Sequence, residues 1–198
     1  MWCGARKQQR TFAVTGWDSS DSFQIRVYIP SEVRDSFGKA EGICQILPSG
    51  ASLNRSSGLP TWETSVVPNT QDVHPNLPLA AANSFALPDG KYQIRLFFWD
   101  KSGSRIRNAW WDGSRWALPE LEEPWNVEVG AGQGMDAVVW YDPFKGVQWS
   151  CFYSEARGRL CEITCASGSQ EWSSSEVGFI NYDSHIQAFI KWEPEQGV

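Results

Sequence analysis

The segments LAAANSF (residues 79–85), QIRLFFWD (93–100) and RIRNAWWDGSRWAL (105–118) are short and apolar or alternating, and polar turns divide them. The first turn is ALPDGKY and the second is KSGS, while Asp112-Gly113-Ser114 interrupts the third segment. Strands of five to seven residues joined by Gly-, Asp- and Ser-rich turns form an antiparallel meander. Side chains on a strand alternate between its faces. In QIRLFFWD that sets Ile94, Leu96 and Phe98 on one face, with Gln93, Arg95, Phe97 and Trp99 on the other. Both faces are largely apolar, so this strand is covered on both sides. A sandwich strand would keep one wet face. Arg95 is the exception, because a charge on a covered face must find partners.

The same unit recurs in both directions along the chain. Upstream, FAVTGW (12–17) leads through a polar turn to QIRVY (24–28), then to GICQIL (42–47), the turn PSG, and ASL (51–53). Downstream, DAVVWYD (136–142), QWSCFYSE (148–155), RLCEITC (159–165) and EWSS (171–174) form a third copy. A fourth opens with GFINYD (178–183) and HIQAFIKW (185–192) and then stops. The chain is therefore expected to be a single all-β domain over 1–198, with approximate repeats 11–62, 79–125, 136–177 and an incomplete 178–198. Four-stranded meanders repeated in this way predict a β-propeller, here about three and a half blades. A short helical turn is expected only around Glu32 to Phe37. The Pro-, Ser- and Asn-rich segment from Asn54 to Asn76 is expected at the surface between blades, with Trp62 as an alternative outer strand of blade one.

Composition narrows the function. A length of 198 residues with 41% hydrophobic and 20% charged residues is that of a globular chain. No apolar run reaches the roughly 20 residues of a membrane-spanning helix. The first twelve residues, MWCGARKQQRTF, hold no apolar signal core, so a cytoplasmic protein or one exported without a classical signal peptide is expected. A net charge of −6 argues against nucleic acid as a partner. The basic stretch of Arg105, Arg107 and Arg115 is interleaved with Asp100, Asp112 and Glu120, which makes it a mixed-charge edge. Five cysteines, with Cys161 and Cys165 four apart on a strand and thus separated by about 13 Å, do not form a metal site. They are expected as reduced, partly buried thiols, and neither a metal nor another cofactor is expected. The twelve tryptophans are the anomaly. Aromatic excess at regular spacing marks a repeat, a ligand platform, or both.

The unit LAAANSF…QIRLFF…RIRNAWWDGSRW resembles the repeat of the fungal and bacterial fucose-binding lectins, in which an I-R-V-Y strand precedes I-x-E-x-x-W-D-G-x-x-W. The second copy matches from Leu79 to Trp116, and the first and third match loosely. The resemblance implies a non-enzymatic lectin in which six blades surround a tunnel and each sugar lies between two blades. An arginine and a glutamate take the sugar hydroxyls, and two aromatics of the next blade cover its apolar face. A guanidinium fork, an acceptor and an indole suit the two faces of a sugar.

Carried onto this chain, the resemblance assigns one pocket to Arg26 and Gln45 with Trp111 and Trp116. It assigns a second to Arg95 and Asn108 with Cys165 and Trp172, and a third to Glu162, where Ser150 replaces the arginine. No pocket keeps the full set. Gln45 and Asn108 accept a hydrogen bond without the strength that a carboxylate adds. The expected ligands are thus fucose or fucosylated glycans, and the alternative is a degenerate propeller that has lost its sugar and holds a protein partner. Other roles stay open for the same residues: Arg26 and Arg95 as bridges to backbone carbonyls, and Trp111 and Trp116 as inter-blade core. Trp99 and Trp110 are expected to pack, and His74 and His185 have no role. A catalytic function would fall by default to Asp136, Asp142, Glu155 or Glu162. An incomplete ring leaves open strand edges, so association of several copies is expected.

Overall fold

The computed structural model describes residues 11–19, 22–35, 38–49, 61–86, 91–117, 125–126, 131–155, 158–166, 172–180 and 186. These residues form three antiparallel sheets and no α-helix. Blade one contains β1 (Ala13–Ser19), β2 (Ser22–Asp35), β3 (Gly38–Ser49) and β4 (Thr61–Val67), paired in chain order. Blade two contains β5 (Leu79–Ala86), β6 (Lys91–Trp99) and β7 (Arg105–Trp111), and two further stretches of strand share its outer edge. These are β8 (Trp116–Ala117) and β9 (Trp125–Asn126), which pair with opposite ends of β7. Blade three contains β10 (Ala131–Asp142), β11 (Gly146–Glu155), β12 (Arg159–Ala166) and β13 (Trp172–Phe179). β5 lies beside β1 on one side and β10 on the other, so the first strands of the blades adjoin one another.

The turns follow from single carboxylates. Asp100 Oδ1 accepts the Ser102 hydroxyl at 2.7 Å and the Ser104 and Arg105 amides at 3.2 Å each, closing the β6–β7 hairpin. Asp112 Oδ1 does the same for Ser114 and Arg115 between β7 and β8, where Gly113 takes a φ of 93°. Asp142 Oδ1 accepts the Phe144 and Lys145 amides before β11. A side-chain acceptor two residues upstream reproduces a backbone turn, and glycine accepts the positive φ.

The alternation read in QIRLFFWD holds. Ile94, Leu96 and Phe98 join Tyr28, Ile43 and Val67 in the core between blades one and two. Phe97 and Trp99 join Trp149, Cys151, Tyr153 and Ile163 in the core between blades two and three. Blade two is thus buried on both faces. At about 25 cal/mol per Å² of apolar surface, burial between sheets does most to hold the blades together. One polar bond also crosses the first seam, where the Thr15 hydroxyl donates to Asn83 Oδ1.

Several expectations are corrected. The span from Glu32 to Asp35 is not a helical turn; it continues β2, which pairs with β3 out to Asp35 and Gly38. The outer strand of blade one is β4, containing Trp62, and the ASL stretch lies outside the described residues. The segment after β4 is not merely a surface loop. Thr70 is fully buried, donating to Val67 O and accepting the Ile43 amide, and Val73 bridges to Asp100 beneath blade two. Gly178 and Phe179, read as the start of the fourth copy, instead end β13. The rest of that copy lies outside the described residues except Ile180 and Ile186. Ile186 sits against Gly134, where an added Cβ would come within 2.6 Å of its side chain. Cys3, Glu120 and His185 likewise lie outside the described residues.

Candidate functional site

Strand register makes the three blades directly comparable. Tyr28 pairs with Gln45, Phe97 with Asn108 and Phe152 with Glu162, and two residues before each aromatic stand Arg26, Arg95 and Ser150. On the opposite face, Trp111 pairs with Trp116, Cys165 with Trp172, and Pro48 with Trp62. Side-chain contacts bring Arg26, Gln45, Trp111 and Trp116 together at the first seam and Arg95, Asn108, Cys165 and Trp172 together at the second.

At the first seam, Arg26 Nη1 donates to Gln45 Oε1 at 3.2 Å. Gln45 is buried, and its amide nitrogen donates to Ser65 Oγ at 3.4 Å, which fixes which end of the amide faces the arginine. The guanidinium carbon lies 4.6 Å from the ring centre of Trp111 and 5.4 Å from that of Trp17. Trp17 stacks on Tyr92 at 5.2 Å, and Trp116 meets Trp111 at 5.7 Å and the edge of Tyr28 at 6.0 Å. Arg26, Trp17, Trp111, Trp116 and Tyr92 all remain partly exposed. Tyr28 is fully buried, and burial raises its phenol pKa far above the usual value, with the Arg26 charge opposing. The result is a partly open cleft with a cationic donor fork, held from behind by a buried amide, and indole walls.

At the second seam, Arg95 Nη1 donates to Asn108 Oδ1 at 3.4 Å. Its guanidinium carbon lies 5.7 Å from Trp110, 5.4 Å from Trp149 and 5.1 Å from Trp172. Trp172 meets the edge of Phe97 at 5.9 Å, as Trp116 meets Tyr28. Arg95 is only 7% exposed and Asn108 only 3%. Burial lowers the Arg95 pKa, and the neighbouring Cys165 opposes that shift. Among the described residues both arginines bond side-chain amides and not the backbone carbonyls that the sequence allowed as an alternative.

On blade three, Ser150 Oγ donates to Glu162 Oε1 at 2.6 Å and lies 3.1 Å from Thr164 Oγ1. The described residues bring no arginine to Glu162. The remaining carboxylates have structural partners: Glu155 holds Arg159 in a salt bridge, Asp142 holds its turn and Asp136 Oδ1 accepts the Ala137 amide. Cys44, Cys151, Cys161 and Cys165 form no disulfide among the described residues. Burial raises the pKa of each. Among the described residues no His, Cys, Asp or Glu cluster could hold a metal, and no helix is long and apolar enough to cross a membrane. Arg107 pairs with Asp72 at 2.8 Å and Arg115 with Asp112 at 3.5 Å, so two of the three arginines of the basic stretch have acidic partners.

Sequence reasoning missed Trp17, Tyr92 and Trp149. Trp17 pairs with Gln24, which places it diagonally across from Arg26, so the β1–β2 register was the available signal. Tyr92 and Trp149 enter from neighbouring blades, and no local pattern announces that.

No protein-family model matches the chain, and no curated protein sequence does. Solved structures do. A fucose lectin from Kordia zhangzhouensis, solved with methyl-fucoside, is 15% identical with a TM-score of 0.54, over 82% of this chain and 96% of that one. SapL1 lectin, solved with alpha methyl fucoside, is 17% identical with a TM-score of 0.60, over 87% of this chain and 51% of that one. AofleA from Arthrobotrys oligospora is 13% identical with a TM-score of 0.52, over 85% of this chain and 43% of that one. The chain therefore spans nearly all of the first, about half of the second and less than half of the third. At these identities the likeness is one of architecture. The chain has the all-β blade fold of the fucose-lectin β-propellers.

Proposed function

We propose that the chain is a non-enzymatic carbohydrate-binding protein that takes a fucose-type sugar in the cleft between blades one and two. The observation that carries this reading is Arg26, held by Gln45 over the face of Trp111 yet still open to solvent. A deoxy sugar presents hydroxyls on one side and C–H groups and a methyl on the other. The guanidinium fork, held in place by Gln45, serves the first side, and Trp17, Trp111 and Trp116 serve the second. Methyl fucosides bound to two proteins of the same architecture support the choice of sugar. The occupied state of Glu155, Asp142 and Asp136 favours binding over glycoside hydrolysis, which needs two facing carboxyls open to the substrate.

A glycan array with purified protein tests this, with Arg26→Ala as the control. Fucosylated glycans retained by the wild type and lost by the variant support the lectin reading. A folded wild type that retains no glycan overturns it and leaves a protein-interaction scaffold.

The partner reading extends to a second copy of the chain. Trp62 is 49% exposed in the register position where Trp116 and Trp172 pack against Tyr28 and Phe97. Blade three of another copy would cover it and complete a further seam. Analytical ultracentrifugation should then show an assembly larger than 22.3 kDa that Trp62→Glu dissociates; a monomer at all concentrations removes this part.

A further inference from the structure

The two seams hold different pairs at the same two register positions, one on the second strand of a blade and one on the third. In blade two the pair is Ile94 and Trp111, and in blade three it is Trp149 and Cys165. The large indole has moved from the third strand to the second, and a small residue stands where it was. Moving the indole between facing strands keeps its bulk in the core while changing the shape of the seam. Trp111 at the third-strand position is partly exposed and forms a wall, whereas Trp149 at the second-strand position is wholly buried and forms a floor under the guanidinium. A second difference acts in the same direction. Arg95 pairs across β6 and β7 with Trp110, whereas Leu47 stands two residues after Gln45 in blade one, as Trp110 does after Asn108.

We infer that the paired exchange at Trp149 and Cys165 closes the second seam on Arg95, leaving the Arg26 cleft as the one sugar site between the three described blades. This inference rests on the lectin reading of that cleft. Three indoles enclose the Arg95 guanidinium, and the 7% of its surface left exposed offers a pyranose no donor fork. Arg95 Nε has no hydrogen-bond partner among the described residues, so the aromatic faces take the place of the carboxylate that a buried cation ordinarily needs. Arg95 thereby serves as a cross-seam support between blades two and three, and Trp149 and Cys165 set how many sugars the chain carries.

The test combines titration with an exchange measurement that needs no ligand. Isothermal titration with methyl α-fucoside should give about one site per chain, unchanged in Arg95→Met and about tenfold or more weaker in Arg26→Ala. The double variant Trp149→Ile, Cys165→Trp should raise the count toward two by rebuilding the wall of the first seam at the second. Two sites in the wild type, or one site fewer in Arg95→Met, overturns the inference. If the double variant does not fold, nitrogen-detected NMR of the wild type still decides. The guanidinium protons of Arg95 should exchange with solvent at least about tenfold more slowly than those of Arg26, as burial of a donor requires. Equal rates overturn the closure. A wild type that binds no fucoside but shows slow Arg95 exchange would remove the lectin reading and leave the closed seam intact.

Discussion

At the seam between blades one and two, the guanidinium of Arg26 meets two indoles and stays partly open. At the seam between blades two and three, that of Arg95 meets three and is sealed. Backbone register, arginine position, amide partner and edge-on tryptophan are the same at both. The difference lies in side-chain size at a few positions, chiefly Ile94 against Trp149 and Trp111 against Cys165. A repeat fold can therefore keep its pairing geometry and still turn one pocket into core, because the strands fix where side chains start and not how far they reach.

Cutting each seam at its indole should separate the two roles most strongly. Trp149→Ala should cost about 3–5 kcal/mol of unfolding free energy, the range for a buried aromatic truncation, and leave the fucoside site occupied. Trp111→Ala should cost less than half of that and abolish binding. Urea denaturation read beside titration checks both, and similar losses in the two variants would erase the distinction. Arg26→Ala comes next. Losing a charged donor at a ligand costs about 1.5–3 kcal/mol, which is roughly a tenfold to 150-fold weaker Kd, with little change in Tm.

Restoring the acid sharpens the comparison. Gln45→Glu should strengthen fucoside binding by up to about tenfold through charge-assisted bonds, measurable by titration. Asn108→Glu should leave fucoside affinity unchanged, because the Arg95 partner is sealed. The smallest effect concerns the turn that carries the aromatic wall. The Ser114 hydroxyl first, and then the Arg115 and Ser114 amides, hold the Asp112 carboxyl down to about 2. A depressed carboxyl stabilises the fold above its ordinary pKa near 4 and loses that contribution as pH falls from about 4 to 2. Thermal melts across that window should show a slope that Asp112→Asn removes.

Strands and register were largely legible because turns were marked by Asp, Gly and Ser and because QIRLFFWD alternated without a break. The same regularity grouped Cys165 with Trp172 as the counterpart of Trp111 with Trp116. The end of β2 was not legible, since Ser31 to Asp35 is polar except for Val33, and only its pairing with Gly38 to Gly42 makes it a strand. Nor was the outer strand of blade one fixed: the sequence left both ASL and Trp62 open. In the site, Arg26, Gln45 and the two wall tryptophans could be found from one blade's pattern. Trp17, Tyr92 and Trp149 could not, because their roles depend on which faces of separate sheets meet. Closure of the Arg95 pocket was equally hidden, for a cysteine in place of a tryptophan suggests a larger cavity until Trp149 is seen to fill it.

Trp116, the outer wall of the open cleft, stands on β8 at the outer edge of blade two, where Trp110–Ala117 and Trp111–Trp116 are the pairings to β7 among the described residues. An outer strand is paired on one side alone, so its opening free energy is small beside that of the core strands. A ligand that seats against Trp116 binds only the closed edge, and its apparent affinity scales with the fraction of molecules closed. Saturating sugar should therefore slow amide exchange in β8 more than anywhere else in the chain. Capture of the ligand and completion of the sheet are then one thermodynamic event.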